Sequence, residues 1–159
     1  MLEILWRMLV IGIGGTAILD VWALILKAGF GMALPNWALV GRWFAHLGKG
    51  TLVHDDIAKA PAVANELSIG WFAHYAVGIL YAAILIWFAG PAWLQSPTFL
   101  PALIVGLVTV GAGWFILQPG MGAGIAASKR SDPWMVRMLN ITAHSVFGLG
   151  LYGTARLIA

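Results

Sequence analysis

The stretch LWRMLVIGIGGTAILDVWALIL, residues 5–26, decides the fold of this chain. Its length matches the roughly 20 residues of helix that cross a bilayer core, and its second half carries one acidic side chain, Asp20. A signal peptide has a shorter apolar region, so we interpret the stretch as a first membrane-spanning helix. Similar apolar stretches follow at residues 67–88, 99–117 and 135–158.

The composition excludes a soluble globular domain. Hydrophobic residues make up 61% of the chain and charged residues 9%, and the mean hydropathy is +0.90. Cysteine is absent, which excludes disulfides, thiol redox chemistry and cysteine metal sites. The net charge of +3 is modest and no basic stripe follows a helix, so we expect a lipid bilayer as the partner and no nucleic acid.

The connections between the spans complete an all-α architecture. Residues 27–66 form a long connection, in which Asn36–Leu47 has the pattern of a short helix lying at the membrane interface. Residues 90–98 form a tight turn, and the sequence Gln-Pro-Gly at residues 118–120 ends the third span. We therefore predict a polytopic membrane protein with one transmembrane domain, residues 1–159, built as a four-transmembrane-helix bundle.

The distribution of lysine and arginine predicts the orientation, because cationic loops are retained in the cytoplasm. The first and third connections with their flanks carry seven cations: Lys27, Arg42, Lys49, Lys59, Lys129, Arg130 and Arg137. Near the opposite face there are only Arg7 and Arg156. We expect both termini to be periplasmic.

Tryptophan is frequent near the ends of the predicted spans. An indole ring is stable at the headgroup level, where the ring meets hydrocarbon and its N–H meets water. We interpret five of these side chains as interfacial anchors: Trp6, Trp37, Trp43, Trp93 and Trp134.

An internal repeat relates the two halves of the chain. GTAILD at residues 15–20 aligns with GWFILQ at residues 113–118, and FAHYAVGILY at residues 72–81 aligns with TAHSVFGLGL at residues 142–151. Two matches in order on successive helices predict two tandem helical-hairpin repeats, related by a pseudo-twofold axis along the membrane normal.

The repeat brings polar residues into correspondence, pairing His74 with His144 and Asp20 with Gln118. An ionisable side chain in hydrocarbon costs at least about 2.5 kcal/mol on insertion scales, so it usually faces the bundle interior. We predict a ligand-binding pocket in the cytoplasmic half, formed by these four residues and Asn140. Asp20, His74 and His144 are candidate metal ligands. The alternative is that these groups only form hydrogen bonds between helices.

The long connection supplies a second group of candidates. Arg42, His46, His54 and Asp55 could form a gate over the pocket from the cytoplasmic side. The alternative is that these side chains are simply solvated, as loop histidines beside carboxylates usually are.

Five segments together resemble a known bacterial family. They are GGTAILDVWALIL from Gly14, ALVGRWFAHLGKG from Ala38, GWFAHYAVGILYAA from Gly70, QPGMGAGIAASK from Gln118 and HSVFGLGLY from His144. The chain resembles the small inner-membrane proteins catalogued as domain of unknown function 2938, over nearly its whole length. The resemblance implies a bacterial inner-membrane location with four spans, and it implies no established activity.

Three functions fit the predicted pocket. The first is the binding or transport of an ion or a small polar ligand. The second is electron transfer by a haem with His74 and His144 as axial ligands. The third is a structural or assembly subunit of a homo-oligomer or a larger membrane complex. An intramembrane hydrolase that uses Asp20 and a histidine as a base pair is the last alternative, because it lacks an evident nucleophile in a strained turn. The cofactor, a divalent metal or a haem, stays open.

Overall fold

Five α-helices and no strands make up the chain in a computed structural model that describes residues 1–159. The helices are α1 (Leu2–Phe30), α2 (Trp37–Leu47), α3 (Glu66–Ala89), α4 (Phe99–Gly120) and α5 (Pro133–Leu157). The all-α prediction is confirmed. Each of the four predicted spans coincides with one long helix, and the short helix predicted in the first connection is α2.

Local sequence explains where α1 ends and where α2 begins. Gly31 follows α1 in the left-handed conformation, with φ of 66°, and its N–H donates to the carbonyl oxygen of Lys27 at 3.0 Å. Glycine adopts this conformation without a steric penalty, which is why it ends helices. At the start of α2, the side chain of Asn36 accepts a hydrogen bond from the N–H of Leu39 at 3.3 Å, as an N-cap residue does.

Three helices are long and apolar enough to cross a membrane: α1 with 29 residues, α3 with 24 and α4 with 22. Between 22% and 28% of the most apolar part of each helix is buried within the protein, so most of its side chains face outward. The fourth predicted span corresponds to α5, a continuous helix of 25 residues. Its apolar sequence is interrupted by the polar residues Arg137, Asn140 and His144. The four-span bundle therefore stays a prediction.

The winding of α4 changes near its end, where Gly113–Leu117 form a turn of π-helix. Pro119 explains the change, because proline has no N–H and its ring collides with the carbonyl of the preceding turn of an α-helix. In the wider turn the N–H of Gln118 donates to the carbonyl oxygen of Gly113. The helix thus continues past the proline to Gly120, three residues beyond the end of the predicted span.

The chain divides into two compact units. Unit 1 comprises Met1–Leu34, Tyr75–Thr109 and Ile141–Ala159, and unit 2 comprises Pro35–His74 and Val110–Asn140. Unit 1 contains α1 and the greater part of α3. Unit 2 contains α2, the π-helical turn, the first connection from Pro35 onward and the third connection, residues 121–132.

In unit 1, glycines allow two pairs of helices to pack backbone against backbone. A Cβ atom on Gly12 of α1 would lie 2.5 Å from the Cα of Ile79 in α3. A Cβ atom on Gly106 of α4 would lie 2.6 Å from the carbonyl oxygen of His144 and 3.0 Å from the Cα of Gly148 in α5. Only glycine permits approaches this close, so these positions fix how the helices pair.

A third contact joins α1 to α5. A Cβ atom on Gly150 would lie 3.0 Å from the Cα of Gly15, and one on Gly14 would collide with the side chain of Thr154. The later residue of α5 meets the earlier residue of α1, so the two helices run antiparallel. Unit 1 is filled by a cluster of apolar side chains: Ile11, Ala82, Leu85, Ile86, Trp93, Leu94, Ala102, Val105, Phe147, Leu151 and Ala155.

The start of α1 is tied to the turn between α3 and α4. The Arg7 guanidinium donates to the carbonyl oxygen of Leu94 at 2.7 Å, and the indole N–H of Trp93 donates to the carbonyl oxygen of Thr98 at 3.1 Å. Pro91–Leu94 form one turn of 3-10 helix. The predicted tight turn is thus a short helical turn with its carbonyls satisfied by side chains.

In unit 2, α2 lies across the first turns of α3. A Cβ atom on Gly41 would collide with the carbonyl oxygen of Glu66, and a Cβ atom on Gly70 would collide with the carbonyl oxygen of Trp37. The two backbones are therefore in direct contact at these glycines. This packing defines one face of α2, and the predicted position of α2 at the membrane interface stays a prediction.

The interpretation of tryptophans as anchors is wrong for two of the five. Trp43 and Trp93 are 5% and 6% exposed, and the indole N–H of Trp43 donates to the carbonyl oxygen of Leu52 at 3.0 Å. Their N–H groups satisfy backbone carbonyls of the protein and do not face water. Trp6 and Trp134 are exposed, as anchors must be.

Gly106→Ala tests the glycine contact between α4 and α5. The added methyl group would be forced against α5, and overpacking of this kind costs about 1–3 kcal/mol. Alanine is the better helix former by about 1 kcal/mol, so we expect a net loss of up to about 2 kcal/mol. Unfolding in mild detergent, titrated with SDS and followed by far-UV circular dichroism, measures the loss.

Gly153→Ala is the matched control, because a Cβ atom on Gly153 of α5 would meet nothing within 4 Å. We expect this variant to be as stable as the wild type or more stable, since only helix propensity changes. Equal stability of the two variants would contradict the close contact at Gly106.

Candidate functional site

Asp20 meets a hydroxyl group from the neighbouring helix. Thr16 and Asp20 lie one and two turns beyond Gly12 on the same face of α1, and α3 runs antiparallel against that face. Tyr75 lies about one turn before Gly78, which packs against Thr16. The Tyr75 hydroxyl donates to the Oδ2 of Asp20 at 2.9 Å. The glycine contact thus determines which side chain reaches the carboxylate.

His144 is held by polar groups of α4. Its Nδ1 lies 3.1 Å from the Thr109 Oγ1 and 3.1 Å from the carbonyl oxygen of Gly106. The Thr109 hydroxyl itself donates to the Gly106 carbonyl at 2.7 Å. A carbonyl can only accept, so the His144 proton lies on Nδ1, and in the neutral ring the Nε2 keeps its lone pair.

His74 lies among aromatic rings in unit 2. Its ring stacks on Trp37, with the centroids 3.9 Å apart and the planes at 29°. Trp71 adds an edge contact at 5.9 Å. Trp37 comes from the first turn of α2, so the docking of α2 on α3 creates this environment.

Gln118 and Asn140 come together with Trp114 at the π-helical turn. The Asn140 Oδ1 accepts from the indole Nε1 of Trp114 at 3.0 Å and from the Nε2 of Gln118 at 2.8 Å. An indole N–H can only donate, so it fixes the orientation of the Asn140 amide, which in turn fixes that of Gln118. The remaining oxygen of Gln118, Oε1, is buried and has no hydrogen-bond partner.

Of the five predicted ligand-binding residues, Gln118 and Asn140 are hydrogen-bonded to each other, and Asp20, His74 and His144 each contact other residues. Asp20 and His144 belong to unit 1, and His74, Gln118 and Asn140 belong to unit 2. No group of three or more histidine and acidic side chains is arranged to hold a metal ion. The predicted metal set thus gains no support, and the haem hypothesis, which needs two histidines, stays a prediction.

Of the predicted gate residues, Arg42 is fully engaged within the first connection. Its Nε and Nη2 donate to the two carboxylate oxygens of Glu66, each at 2.9 Å. Its Nη1 donates to the carbonyl oxygens of Ile57, Ala58 and Ala60. The pKa of Arg42 is raised above its ordinary value, mainly by the hydrogen bond to Glu66. Arg42 thus holds the connection in place as a permanent cation.

His46 and His54 are joined directly. The Nδ1 of His46 lies 2.8 Å from the Nε2 of His54, and the Nδ1 of His54 lies 3.1 Å from the carbonyl oxygen of Gly120. Because the carbonyl accepts, His54 carries its proton on Nδ1, and the neutral pair has the His46 proton on Nδ1 as well. The pair ties α2 and the first connection to the end of α4.

The third connection, residues 121–132, packs against the first connection in a strained conformation. Gly122 lies against the backbone of Asp55, whose side chain is exposed. Two alanines, Ala126 and Ala127, have φ of 47° and 59°, which costs roughly 1–2 kcal/mol for a residue with a side chain. The Arg137 Nε donates to the Ala126 carbonyl at 2.8 Å and stabilises this conformation.

The sequence reasoning missed four side chains that contact the predicted residues. They are Trp37, Tyr75, Thr109 and Trp114. Two of them could have been found from their spacing in the sequence. Trp114 lies four residues before Gln118, and Tyr75 lies three residues before Gly78, so each pair shares a helix face. Trp37 contacts His74 and Thr109 contacts His144 only because separate helices pack together.

Arg42→Lys tests the role of Arg42. A lysine keeps the charge but cannot form the two parallel hydrogen bonds to Glu66 or reach the three carbonyls together. We expect a protease added to membranes with the connection accessible to cleave between Leu47 and Glu66 severalfold faster. Lys59→Ala is the control, because the Lys59 pair with Asp56, at 3.6 Å, is exposed. Equal cleavage of both variants would contradict this role.

The comparisons with known proteins agree with the resemblance seen in the sequence. The family model described as a protein of unknown function, DUF2938, matches residues 9–158. No curated protein and no solved structure matches the chain. The matched region includes every residue of the candidate site described above. This chain belongs to the DUF2938 family of proteins of unknown function.

Proposed function

We propose that this chain is a multi-pass protein of the bacterial inner membrane that binds or transports an ion or a small polar ligand. Four spans, α1, α3, α4 and α5, form two tandem helical hairpins with both termini in the periplasm. The candidate ligand-binding residues are Asp20 and His144 in unit 1 and His74, Gln118 and Asn140 in unit 2.

The packing of α5 supports its role as a fourth span. It contacts α1 at Gly150 and α4 at Gly148 through close backbone approaches, which are typical of helices packed in a membrane. At about 1.5 Å per residue its length is sufficient to cross a bilayer core.

The two glycine contacts also support the repeat. Gly78 and Gly148, which correspond in the sequence alignment, pack on Gly12 and Gly106 respectively. At each contact a threonine hydroxyl donates to the carbonyl oxygen of the glycine. Thr16 donates to Gly12 at 2.8 Å, and Thr109 donates to Gly106 at 2.7 Å. The contact glycine on α4 lies one helical turn before the position that the sequence alignment pairs with Gly12.

Single cysteines test the topology, because the natural chain has none. In intact cells treated with a membrane-impermeant maleimide, we expect labelling of Ser96→Cys and Ala159→Cys but not of Ser131→Cys. Permeabilised cells should label all three. Protection of Ala159→Cys in intact cells, with Ser96→Cys labelled, would reduce the number of spans to three.

The observation that carries the proposed activity is the unpaired oxygen of Gln118. Trp114 and Asn140 fix the orientation of its amide, so the buried Oε1 cannot obtain a partner by rotation of the amide group. An unsatisfied buried acceptor costs about 1–3 kcal/mol. A ligand that brings a hydrogen-bond donor or a positive charge would remove this cost.

Solute flux tests the activity directly. Proteoliposomes are shocked with K⁺, Na⁺, ammonium, glycerol or urea, and the recovery of their volume is followed by light scattering. We expect at least one solute to enter faster than into protein-free vesicles, and we expect Gln118→Leu to slow that entry severalfold. Gln95→Leu is the matched control, because Gln95 is exposed in the turn between α3 and α4.

Thermal unfolding of the purified protein in the presence of the same solutes tests for binding without transport. A ligand that binds the folded state raises the unfolding temperature. If no solute accelerates entry and none shifts unfolding, the proposed activity is contradicted. The haem-carrier and assembly-subunit hypotheses stay predictions from the sequence.

A further inference from the structure

The third connection and the start of α5 carry three cations that form no ion pair with a carboxylate of the protein. These cations, which we call the cation cluster, are Lys129, Arg130 and Arg137. In the rest of unit 2, Arg42 pairs with Glu66 and Lys59 pairs with Asp56. The cation cluster thus differs from the cations of the first connection that have found an acidic partner.

The one carboxylate inside the third connection is committed to the start of α5. The Asp132 Oδ1 accepts a hydrogen bond from the N–H of Met135 at 3.0 Å, as the side chain of an N-cap residue does. Residues 121–137 contain the three cations of the cluster and this single carboxylate, so their net charge is +2. The segment therefore cannot neutralise its own positive charge.

Backbone and side-chain hydrogen bonds hold the cation cluster on one short turn of the chain. The Arg137 Nε donates to the carbonyl oxygen of Ala126 at 2.8 Å. The N–H of Arg130 donates to the carbonyl oxygen of the next residue, Ala127, at 2.9 Å, and Lys129 directly precedes Arg130. The guanidinium of Arg137 is thus bound to the same turn that carries the other two cations.

The cation cluster keeps most of its hydrogen-bond donors free. Lys129 and Arg130 are exposed, and their side chains donate to no group of the protein. Arg137 uses only its Nε, which leaves both Nη nitrogens available. A guanidinium offers paired N–H donors that match two oxygens of a phosphate, and an ammonium binds phosphate as a point charge. Free donors of this kind fit a phosphate group.

Exposed apolar side chains flank the cation cluster. Trp134 is 67% exposed and lies three residues before Arg137 on the same face of α5, and Ile125, beside Ala126, is 59% exposed. A soluble phosphate would contact the cations and leave this apolar surface uncovered. A phospholipid would satisfy both parts, because its phosphate meets the cations and its acyl chains cover the apolar side chains.

We propose that the cation cluster, with Ile125 and Trp134, forms a binding site for an anionic phospholipid of the surrounding membrane. A headgroup with a net negative charge is complementary to the net positive charge of residues 121–137. The cationic amine of a zwitterionic headgroup would be repelled there. This inference goes beyond the proposed function, because it requires the chain to lie in a membrane but does not require it to transport a solute.

Native mass spectrometry tests the site with the full chain in mild detergent. Phosphatidylglycerol and phosphatidylcholine with identical acyl chains are added in equal amounts, and the lipid bound to the protein is identified by its mass. We expect severalfold more phosphatidylglycerol than phosphatidylcholine on the wild type. The double variant Lys129→Gln/Arg130→Gln should bind severalfold less phosphatidylglycerol, while Arg137 still stabilises the strained turn.

Matched variants separate a defined site from general attraction. Lys27→Gln/Lys49→Gln removes the same charge from two exposed cations outside the cluster, and we expect it to bind phosphatidylglycerol as the wild type does. Trp134→Ser should weaken binding severalfold by removing apolar contact. Trp87→Ser is its control, because Trp87 is 84% exposed on α3 and is not part of the proposed site.

Equal binding of the two lipids to the wild type would overturn the proposal, and this comparison needs no variant. An equal loss in the two charge variants would also overturn it, because the attraction would then be general. Release of phosphatidylglycerol by an excess of inorganic phosphate would assign the cation cluster to a soluble phosphate instead. None of these measurements involves Gln118, so their failure is distinct from a failure of the flux and thermal experiments.

Discussion

The approach of helix backbones at glycine determines which polar side chains meet in unit 1. Where Gly12 and Gly106 contact their neighbours, no side chain separates the helices. One or two turns away from each contact, a side chain of one helix reaches a polar group of the other. Asp20 meets Tyr75 in this way, and His144 meets Thr109. The polar contacts are therefore consequences of the packing, and a change at a glycine would displace both partners of a pair.

A second constraint acts in unit 2, and it begins with one residue. Pro119 prevents regular α-helical hydrogen bonding, and the helix responds by widening into a π-turn that contains Trp114. The indole then reaches Asn140, which orders Gln118 and leaves the Oε1 of Gln118 unpaired. A local irregularity in the backbone thus leaves a buried polar atom unpaired near the end of an apolar helix, and π-turns of this kind are often found at functional sites.

The helices could be predicted from the sequence because long apolar stretches bounded by glycine, proline and charged residues leave few alternatives. The candidate residues Asp20 and His144 could be predicted for the same reason, since ionisable side chains are rare in such stretches. Their partners could not be predicted. Thr109 is an ordinary residue of an apolar helix, and only the register between helices, set by contacts distant in sequence, brings it to His144. The left-handed conformation of Ala126 and Ala127 could not be predicted either, because alanine does not favour a positive φ.

The tryptophans of this protein have a consequence for spectroscopy. Trp43, Trp93 and Trp114 each donate their indole N–H to an oxygen atom of the protein itself. Their fluorescence therefore depends on the folded structure more than on contact with lipid headgroups. The loss of these three bonds, one in unit 1 and two in unit 2, would contribute to the change in emission during unfolding. Depth measurements that treat every indole as a marker of the bilayer surface would place the boundary of this membrane protein incorrectly.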